Sequence, residues 1–216
     1  MFLILLSLCL IFSGCSKDVT SEYDSSLLTK IYEANSTKYL RDNFDNVKVT
    51  LYDNNEVVSY LFLSHDLLDS FVSYNDSNYE YIFDNDSKYI SFYKNDIISD
   101  AHDDFDPDQV TKYISSIPDN NEEIIKVEKT GKYLLVETKV SNELNDITYK
   151  NIYKYDEINN KILEFNSEIE TSHNIKMYLS DKYEYNIDVD KTNDKLLKDV
   201  VKVFNEKIKD YFNEEK

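Results

Sequence analysis

Two acidic stretches are the densest groups of side chains in this sequence that could do chemistry. The first, DAHDDFDPDQ at 100–109, carries five aspartates: Asp100, Asp103, Asp104, Asp106 and Asp108. Carboxylate oxygens at such density are ligands that Ca²⁺ prefers, but the spacing matches no EF-hand and the glycine of that loop is missing. The second, DVDKTNDKLLKD, begins like a calcium loop with Asp188 and Asp190 and then runs into a helical pattern. Both stretches favour solvated loops, and we predict no metal site.

Catalytic motifs of the common classes are missing from the sequence. The histidines, His65, His102 and His173, are not at metal-ligand spacing from one another, and none belongs to an HExxH motif. Glycine-dependent phosphate loops and GxSxG elbows are excluded, because the only glycine after residue 14 is Gly131. No carboxylate pair stands out among the 42 acidic residues. We therefore expect a protein that is not an enzyme and that needs no cofactor.

An apolar segment opens the chain and ends at a cysteine. MFLILLSLCLIFSG, residues 1–14, has no charge and the length of a secretory signal core, and it is too short to span a bilayer. The sequence Phe12-Ser13-Gly14-Cys15 resembles the lipobox of bacterial lipoproteins, although Phe12 replaces the usual aliphatic residue and no basic segment precedes it. The resemblance implies a signal peptide of residues 1–14 and an acylated Cys15 that anchors the protein on the extracytoplasmic face of the cell membrane. The alternative is an ordinary signal peptide, cut nearby, that leaves Cys15 as a free thiol.

Charge and composition limit the partners and the domain count. The chain has 42 acidic and 24 basic residues and a formal net charge of −18, so we expect it to bind no nucleic acid. Many Asn, Lys, Ile, Tyr and Asp residues are typical of an AT-rich genome and, with the lipobox, indicate a Gram-positive bacterium. Residues 15–25 are polar and unpatterned and predict a tether. The remainder, 26–216, has the length of a single domain.

The first half of that domain shows a helix followed by strands. A serine-capped helix should run through LLTKIYEANSTKYLRDNF. Four alternating strands follow, VKVTLY, EVVSYLFL, YEYIF and KYISFY. The turns between them are rich in Asn and Asp, which tolerate the left-handed conformations that glycine would otherwise supply. A short helix is predicted next, over 107–117.

The second half repeats the alternation and ends in a helix. About six strands are predicted between Ile125 and Val189, with a tight hairpin at Asn159-Asn160. An amphipathic helix at about 193–212 carries one apolar stripe. Short turns between consecutive strands predict an α+β fold in which an antiparallel sheet has one apolar face that helices must cover.

Three stretches carry a resemblance to a known family: EANSTKYLRDNFDNVKVTLY, YNDSNYEYIFDNDSKYISFYKND and YKYDEINNKILEFNSEIE. Their order and residue types over about 26–190 are similar to those of the LolA/LolB-like half-barrel lipoproteins. The resemblance implies a curved antiparallel sheet covered by helices. It also implies that acyl chains are held between the sheet and these helices. The helix at about 193–212 is not a standard part of that family and could be an additional lid or a docking element.

Tyrosines on the later strands are the remaining candidates for a binding site. Tyr133, Tyr149, Tyr153 and Tyr183, with the neighbouring Tyr155 and Tyr185, could line a cavity for an amphiphile, or they could be ordinary strand formers. From the sequence we expect a lipoprotein that binds or chaperones an apolar or amphiphilic ligand. The alternative is a protein-interaction module that serves a cell-envelope complex. An internal cavity favours the first function, and a filled core with an exposed apolar patch favours the second.

Overall fold

The computed structural model describes residues 16–76, 78–83, 88–93, 96–101, 122–142 and 147–209. The predicted signal peptide, Cys15, the helix expected at 107–117 and His102 with the rest of the first acidic stretch beyond Ala101 lie outside the described residues. The chain divides into two compact units, one made of residues up to 34 with 118–178 and the other of 35–117 with 179–216.

Helices lie near both ends of the described chain, and most of the strands lie between them. The α-helices are α1 (Ser26–Asn35), α2 (Thr37–Asn43) and α3 (Lys195–Val203), which a π-helical turn, Phe204–Ile208, extends, and single 3₁₀ turns span Thr20–Glu22 and His65–Leu67. The strands are β1 (Lys17–Asp18), β2 (Asn46–Asp53), β3 (Glu56–Ser64), β4 (Ser70–Tyr74), β5 (Asn78–Phe83), β6 (Lys88–Tyr93), β7 (Asp96–Ala101), β8 (Glu123–Thr130), β9 (Tyr133–Asn142), β10 (Ile147–Asp156), β11 (Lys161–Thr171) and β12 (Lys176–Tyr185). Strand pairing inside each unit is antiparallel, as the short turns between consecutive strands predicted.

The first unit is a meander in the order β1-β8-β9-β10-β11. Residues 15–25 were expected to form a tether, but Lys17 pairs with Lys129 on β8, and the Val19 amide donates to the Val127 carbonyl at 2.8 Å. Val19 is buried. The predicted tether is thus folded from Lys17 onward, because strand pairing, the buried Val19 and the Thr20 hydroxyl, which accepts from the Val127 amide at 2.8 Å, attach it to β8.

Asparagines shape the turns, as the sequence predicted. Seven described residues other than glycine have positive φ angles, and five of them are asparagines: Asn54, Asn55, Asn160, Asn174 and Asn186. In the predicted hairpin between β10 and β11, the Asp156 carboxylate accepts from the Asn159 backbone amide at 3.1 Å and from its side chain at 2.8 Å. This short-range bonding fixes the turn without glycine.

The second unit has the strand order β12-β2-β3-β4-β5-β6-β7. Strands β4 and β7 were not predicted, and the last two of the six strands expected between Ile125 and Val189, at NIKMYL and YEYNIDV, are the single strand β12. The single N-terminal helix predicted after Ser25 is two helices, because Ser36 takes an extended conformation and its side chain caps α2 by accepting from the Tyr39 amide at 3.2 Å. Serine competes for backbone bonds in this way at helix starts.

Both faces of this second sheet are covered. On one face Phe44, at the end of α2, lies 4.6 Å from the Tyr185 ring. On the other face α3 and the π-helical turn bury an apolar stripe against β3, β4 and β5, consisting of Leu197, Val200, Val203, Phe204 and Ile208. The predicted helix at 193–212 is therefore confirmed over 195–208 as part of the core. The five residues 46–50 of β2 are consequently all buried, a pattern that strict alternation does not predict.

Candidate functional site

A cleft of about 620 Å³ opens at one end of the second unit. Its floor is apolar, with the buried Phe62 and Leu67, and the half-buried Ile187, Val189 and Val201 continue it. The cleft lies where β2 begins, where β3 ends and where the chain leaves β12 for α3. The cleft therefore combines an apolar base with the loops at the ends of these strands.

The rim of this cleft is acidic. Asp45, Asp66, Asp188 and Asp190 line it and are exposed, together with Asn186 and His65, and no Lys or Arg belongs to its lining in the described part of the chain. Asp188 is occupied, because it accepts from the Lys191 amide and from the Lys191 ammonium at 2.6 Å, and these bonds lower its pKa. Asp45, Asp66 and Asp190 have no ion-pair partner among the described residues. Three carboxylates on the rim are thus available to a cation.

Two asparagines hold the segment that forms one wall of the cleft. The buried Asn46 side chain accepts from the Ile187 amide at 2.7 Å and donates to the Ile187 carbonyl at 3.0 Å. Asn186 has a φ of 51°, and its side chain accepts from the Asp45 amide at 3.0 Å. The side-chain bonds therefore hold residues 186–187 against the start of β2, and Asp188 and Asp190, which follow them, line the same cleft as Asp66.

The opposite rim is a turn of the chain from His65 to Asp69. The His65 Nδ1 bonds the Asp69 carboxylate, and its Nε2 lies 2.7 Å from the Arg41 carbonyl oxygen. The bond to Asp69 raises the pKa of His65 above its usual value, and the Arg41 carbonyl adds to this effect. Leu68 and Asp69 both have left-handed backbone conformations, with φ angles of 58° and 55°.

The sequence alone pointed to Asp188 and Asp190 but not to Asp45 and Asp66. Asp45 and His65 are separated by a two-residue hairpin turn and two strands, and the observed register pairs Asn46 with Ser64. A hairpin centred on Asn54-Asn55 brings the residues just outside its two ends together. The strand pattern therefore indicated that the two ends of this hairpin come together. Only the observed register shows that Asp45 and Asn46 lie beside His65 and Asp66.

The tyrosines proposed as a cavity lining do not form one group. Tyr153 is buried on the face of β10 that pairs with Val136, whereas Tyr133 points to the opposite face and has the Lys132 ammonium 5.0 Å from its ring centre. Tyr149 is half-buried on the Tyr153 face. Tyr183 lies in the second unit, where its hydroxyl donates to Asn35 at 2.9 Å. Tyr133 thus cannot line the same space as Tyr153.

Tyr153 belongs to a polar network centred on Glu122 in the first unit. The Glu122 carboxylate accepts from Tyr32 on α1 at 2.6 Å, from Asn151 at 3.0 Å, from Tyr153 at 3.2 Å and from Thr138. Burial raises the pKa of both tyrosines, and the nearby carboxylate adds to this. Four hydrogen-bond donors offset the cost of removing this carboxylate from water. We therefore interpret the network as the contact that attaches α1 to the sheet.

A second carboxylate, Asp181 on β12, has no such partners. It pairs across the sheet with Leu51, and burial raises its pKa to about 7. No hydrogen bond or ion pair to its side chain occurs among the described residues. The group is therefore a destabilising charge at neutral pH.

The calcium interpretation of the second acidic stretch has no support in the structure. Asp188 is bonded to Lys191, and Asp194 caps α3 by accepting from the Leu197 amide at 3.0 Å. Within the described ranges, no three His, Cys, Asp or Glu side chains are grouped so that they could hold a metal ion. Within the same ranges, no helix has the length and apolar character needed to cross a membrane.

Comparisons with known proteins give little further information. No protein-family model matches the chain, and no curated protein matches its sequence. Among solved structures it is similar to one described as the crystal structure of MucB in complex with MucA(peri), at 10% sequence identity and a TM-score of 0.33. The match covers 80% of this chain and 58% of that one, so this chain spans less than two thirds of the length of that chain. A TM-score this low does not establish a common fold.

Proposed function

We propose that this protein is a non-catalytic, lipid-anchored binding protein of the cell envelope that captures a basic, partly apolar segment of a partner protein. The observation that carries the proposal is the cleft of about 620 Å³ in the second unit, whose described lining has an apolar floor and an aspartate rim without Lys or Arg. Charge complementarity selects the occupant: lysine or arginine side chains bind the rim carboxylates, and an adjacent aliphatic side chain covers the floor.

The packing of the described residues supports a protein partner over an acyl chain. In the second unit the face that could have held a lipid is occupied by Leu197, Val200 and Phe204 of the C-terminal helix and its π-helical extension. In the first unit, Tyr153, which was a candidate for lining a lipid cavity, bonds the Glu122 carboxylate. A polar network of this kind is a poor surface for an acyl chain. Of the two functions expected from the sequence, the interaction module therefore agrees better with the described contacts.

The location and fold family remain parts of the proposal. The anchor rests on the lipobox-like end of the apolar segment at Cys15, and the half-barrel assignment rests on the three stretches that resemble LolA/LolB-like proteins. Labelling cells with a tagged fatty acid tests the anchor, because Cys15→Ala should abolish incorporation. Label that persists in that variant would contradict it.

Calorimetric titration of the full chain, held in a mild non-ionic detergent, tests the binding function. The probe is a short peptide of alternating lysine and leucine, and a glutamate–leucine peptide is the control ligand. We expect the basic peptide alone to bind, with an affinity that falls as salt is added.

A charge-matched pair of variants locates the site. The combination Asp45→Asn, Asp66→Asn and Asp190→Asn should lower the affinity for the basic peptide roughly tenfold. The combination Asp42→Asn, Asp53→Asn and Asp76→Asn removes the same charge from exposed positions of the same unit that do not line the cleft, and it should leave binding unchanged. Equal losses in both would mean that net charge alone attracts the peptide. Binding of a fatty acid but not of the peptide would favour the carrier function instead.

A further inference from the structure

The His65–Asp69 turn joins three features that are rarely found together. Its first three residues line the cleft, it contains two consecutive non-glycine residues in left-handed conformations, and the titratable side chain at its start bonds both Asp69 at its end and the Arg41 carbonyl of α2. Residues in such conformations persist only where the surroundings hold them. This turn is supported by the buried Leu67 and by backbone bonds from the His65 amide to the Asp45 carbonyl at 3.2 Å and from the Asp69 amide to the His65 carbonyl at 3.4 Å, whereas the side chains of His65, Asp66 and Leu68 are exposed.

The hydrogen bonds of His65 need a doubly protonated ring. Its Nδ1 faces the Asp69 carboxylate, and its Nε2 faces the Arg41 carbonyl oxygen at 2.7 Å. Both partners are acceptors, so both ring nitrogens must donate. A neutral imidazole carries one N–H only, and loss of the proton therefore breaks one of the two bonds and turns a ring lone pair toward an oxygen.

The charged groups around His65 decide the pH range in which this happens. Arg41 on α2 opposes protonation, whereas Asp69 favours it, and the other carboxylates near the turn are Asp45 after α2, Asp66 beside His65, and Asp188 and Asp190 across the cleft. Carboxylates outnumber the single cation of Arg41. The ring is thus charged in mildly acidic conditions and loses its proton above the usual range for histidine.

We propose that the His65–Asp69 turn is a pH-dependent latch on the rim of the acidic cleft, closed when His65 is protonated and released when it is neutral. In the closed state the Nε2 bond to the Arg41 carbonyl connects the turn to α2, and the Nδ1 bond to Asp69 holds Leu68 and Asp69 in their left-handed conformations. In the released state the turn loses one connection, and its backbone becomes mobile. The consequence for a bound partner rests on the proposed function, but the latch itself is a property of the free chain.

Nuclear magnetic resonance relaxation of the full chain, measured from mildly acidic to mildly alkaline pH, tests the latch without a ligand. We expect backbone order parameters of Leu68 and Asp69 to be near 0.85 when His65 is charged and to fall below about 0.6 as its ring loses the proton. In His65→Gln they should be low at every pH. His173→Gln is the matched control, because His173 is exposed and its Nδ1 contacts only the neighbouring Ser172 hydroxyl, and this variant should behave like the original chain.

A second variant keeps the test valid if His65→Gln disturbs the fold. Asp69→Asn removes the carboxylate but keeps a residue that tolerates the left-handed conformation, so the midpoint of the transition should move to lower pH. Order parameters that stay constant while the His65 ring titrates would overturn the latch. Failure of the proposed function would be seen separately, as no binding of the lysine–leucine peptide at any pH.

Discussion

Each of the two units holds a half-buried carboxylate, but within the described residues only one of them provides hydrogen-bond donors for it. In the first unit Glu122 accepts hydrogen bonds from Tyr32, Thr138, Asn151 and Tyr153. In the second unit Asp181 lies among strands that are held together by apolar packing, and only burial acts on its pKa. The same chemical group should therefore contribute to stability with opposite sign in the two units.

The two units also attach their helices differently. In the first, the α1 hydroxyl of Tyr32 reaches the central carboxylate. In the second, Phe204 lies 6.0 Å from the Tyr81 ring and 6.4 Å from the Phe83 ring, and the Tyr81 hydroxyl donates to the Val200 carbonyl at 2.8 Å. Hydrogen-bonded attachment is specific but contributes little net energy, whereas buried apolar area contributes most of the stability.

The largest change in the free energy of unfolding is expected when the apolar attachment of α3 to the second sheet is disrupted. Phe204→Ala removes a fully buried ring and should lower the free energy of unfolding by about 3–5 kcal/mol. Urea unfolding of the full chain measures it. Lys202→Ala, two residues earlier and exposed, is the control and should change little. A small loss for Phe204→Ala would mean that α3 is not part of the core.

The next effect concerns the polar attachment. Glu122→Ala leaves its donors, most of them buried, without their acceptor and should cost about 2–4 kcal/mol in the same measurement. Glu122→Gln keeps one oxygen and should cost less. Glu123→Ala changes the exposed neighbour and serves as the control. If both alanine variants are equally stable, the network does not stabilise the first unit.

The comparison is sharpest at Asp181, where removal of the charge should stabilise the protein. Its pKa is raised from 3.8 to about 7 by burial, so the folded state holds a proton that the unfolded state has released. Stability should therefore fall as the pH rises from about 4 to 7. Asp181→Asn should remove this fall and add about 2 kcal/mol at alkaline pH, with no gain near pH 4.

Unfolding curves of both chains at several pH values provide the measurement for Asp181. A loss of stability in Asp181→Asn at alkaline pH would show that the carboxylate has a partner. The contrast with Glu122 would then disappear.

The smallest effect is expected at His65. Because its pKa is raised in the folded state, it contributes stability that is complete below the unfolded value and is lost as the pH rises through the folded value. The side chain is 46% exposed, so the contribution should be only about 0.5 kcal/mol. Unfolding of His65→Gln and of the original chain should differ at acidic pH and coincide at alkaline pH.

Local rules predicted much of the strand pattern and the turns. Alternation identified β2, β3, β5 and β6, and the asparagine turns were found where glycine was missing. Strand β4 was missed because SFVSY has only five residues. Strict alternation in VKVTLY would place Lys48 on the face opposite Val47 and Val49, in solvent, yet its side chain is 9% exposed beneath α3, where it bonds Asp194.

The candidate site was less predictable than the fold. Asp188 and Asp190 were singled out for their spacing, but their role as calcium ligands is not supported, and they now form one wall of the cleft. Asp45, His65 and Asp66 carry no motif. They become a site only because the β2–β3 register places the two ends of a hairpin beside the exit of β12.

The sequence by itself determined the features that depend on neighbouring residues: the antiparallel strands, the asparagine turns, the amphipathic C-terminal helix and the large negative charge. These follow from backbone propensity, side-chain period and composition, which act over a few residues. The tertiary structure alone decided that the C-terminal helix fills a sheet face, that Glu122 has four donors while Asp181 has none among the described residues, and where the acidic cleft opens. Burial and polar partnership depend on residues far apart in the chain, by 90 positions for Tyr32 and Glu122 and by 141 for Asn46 and Ile187, and no local pattern contains that information.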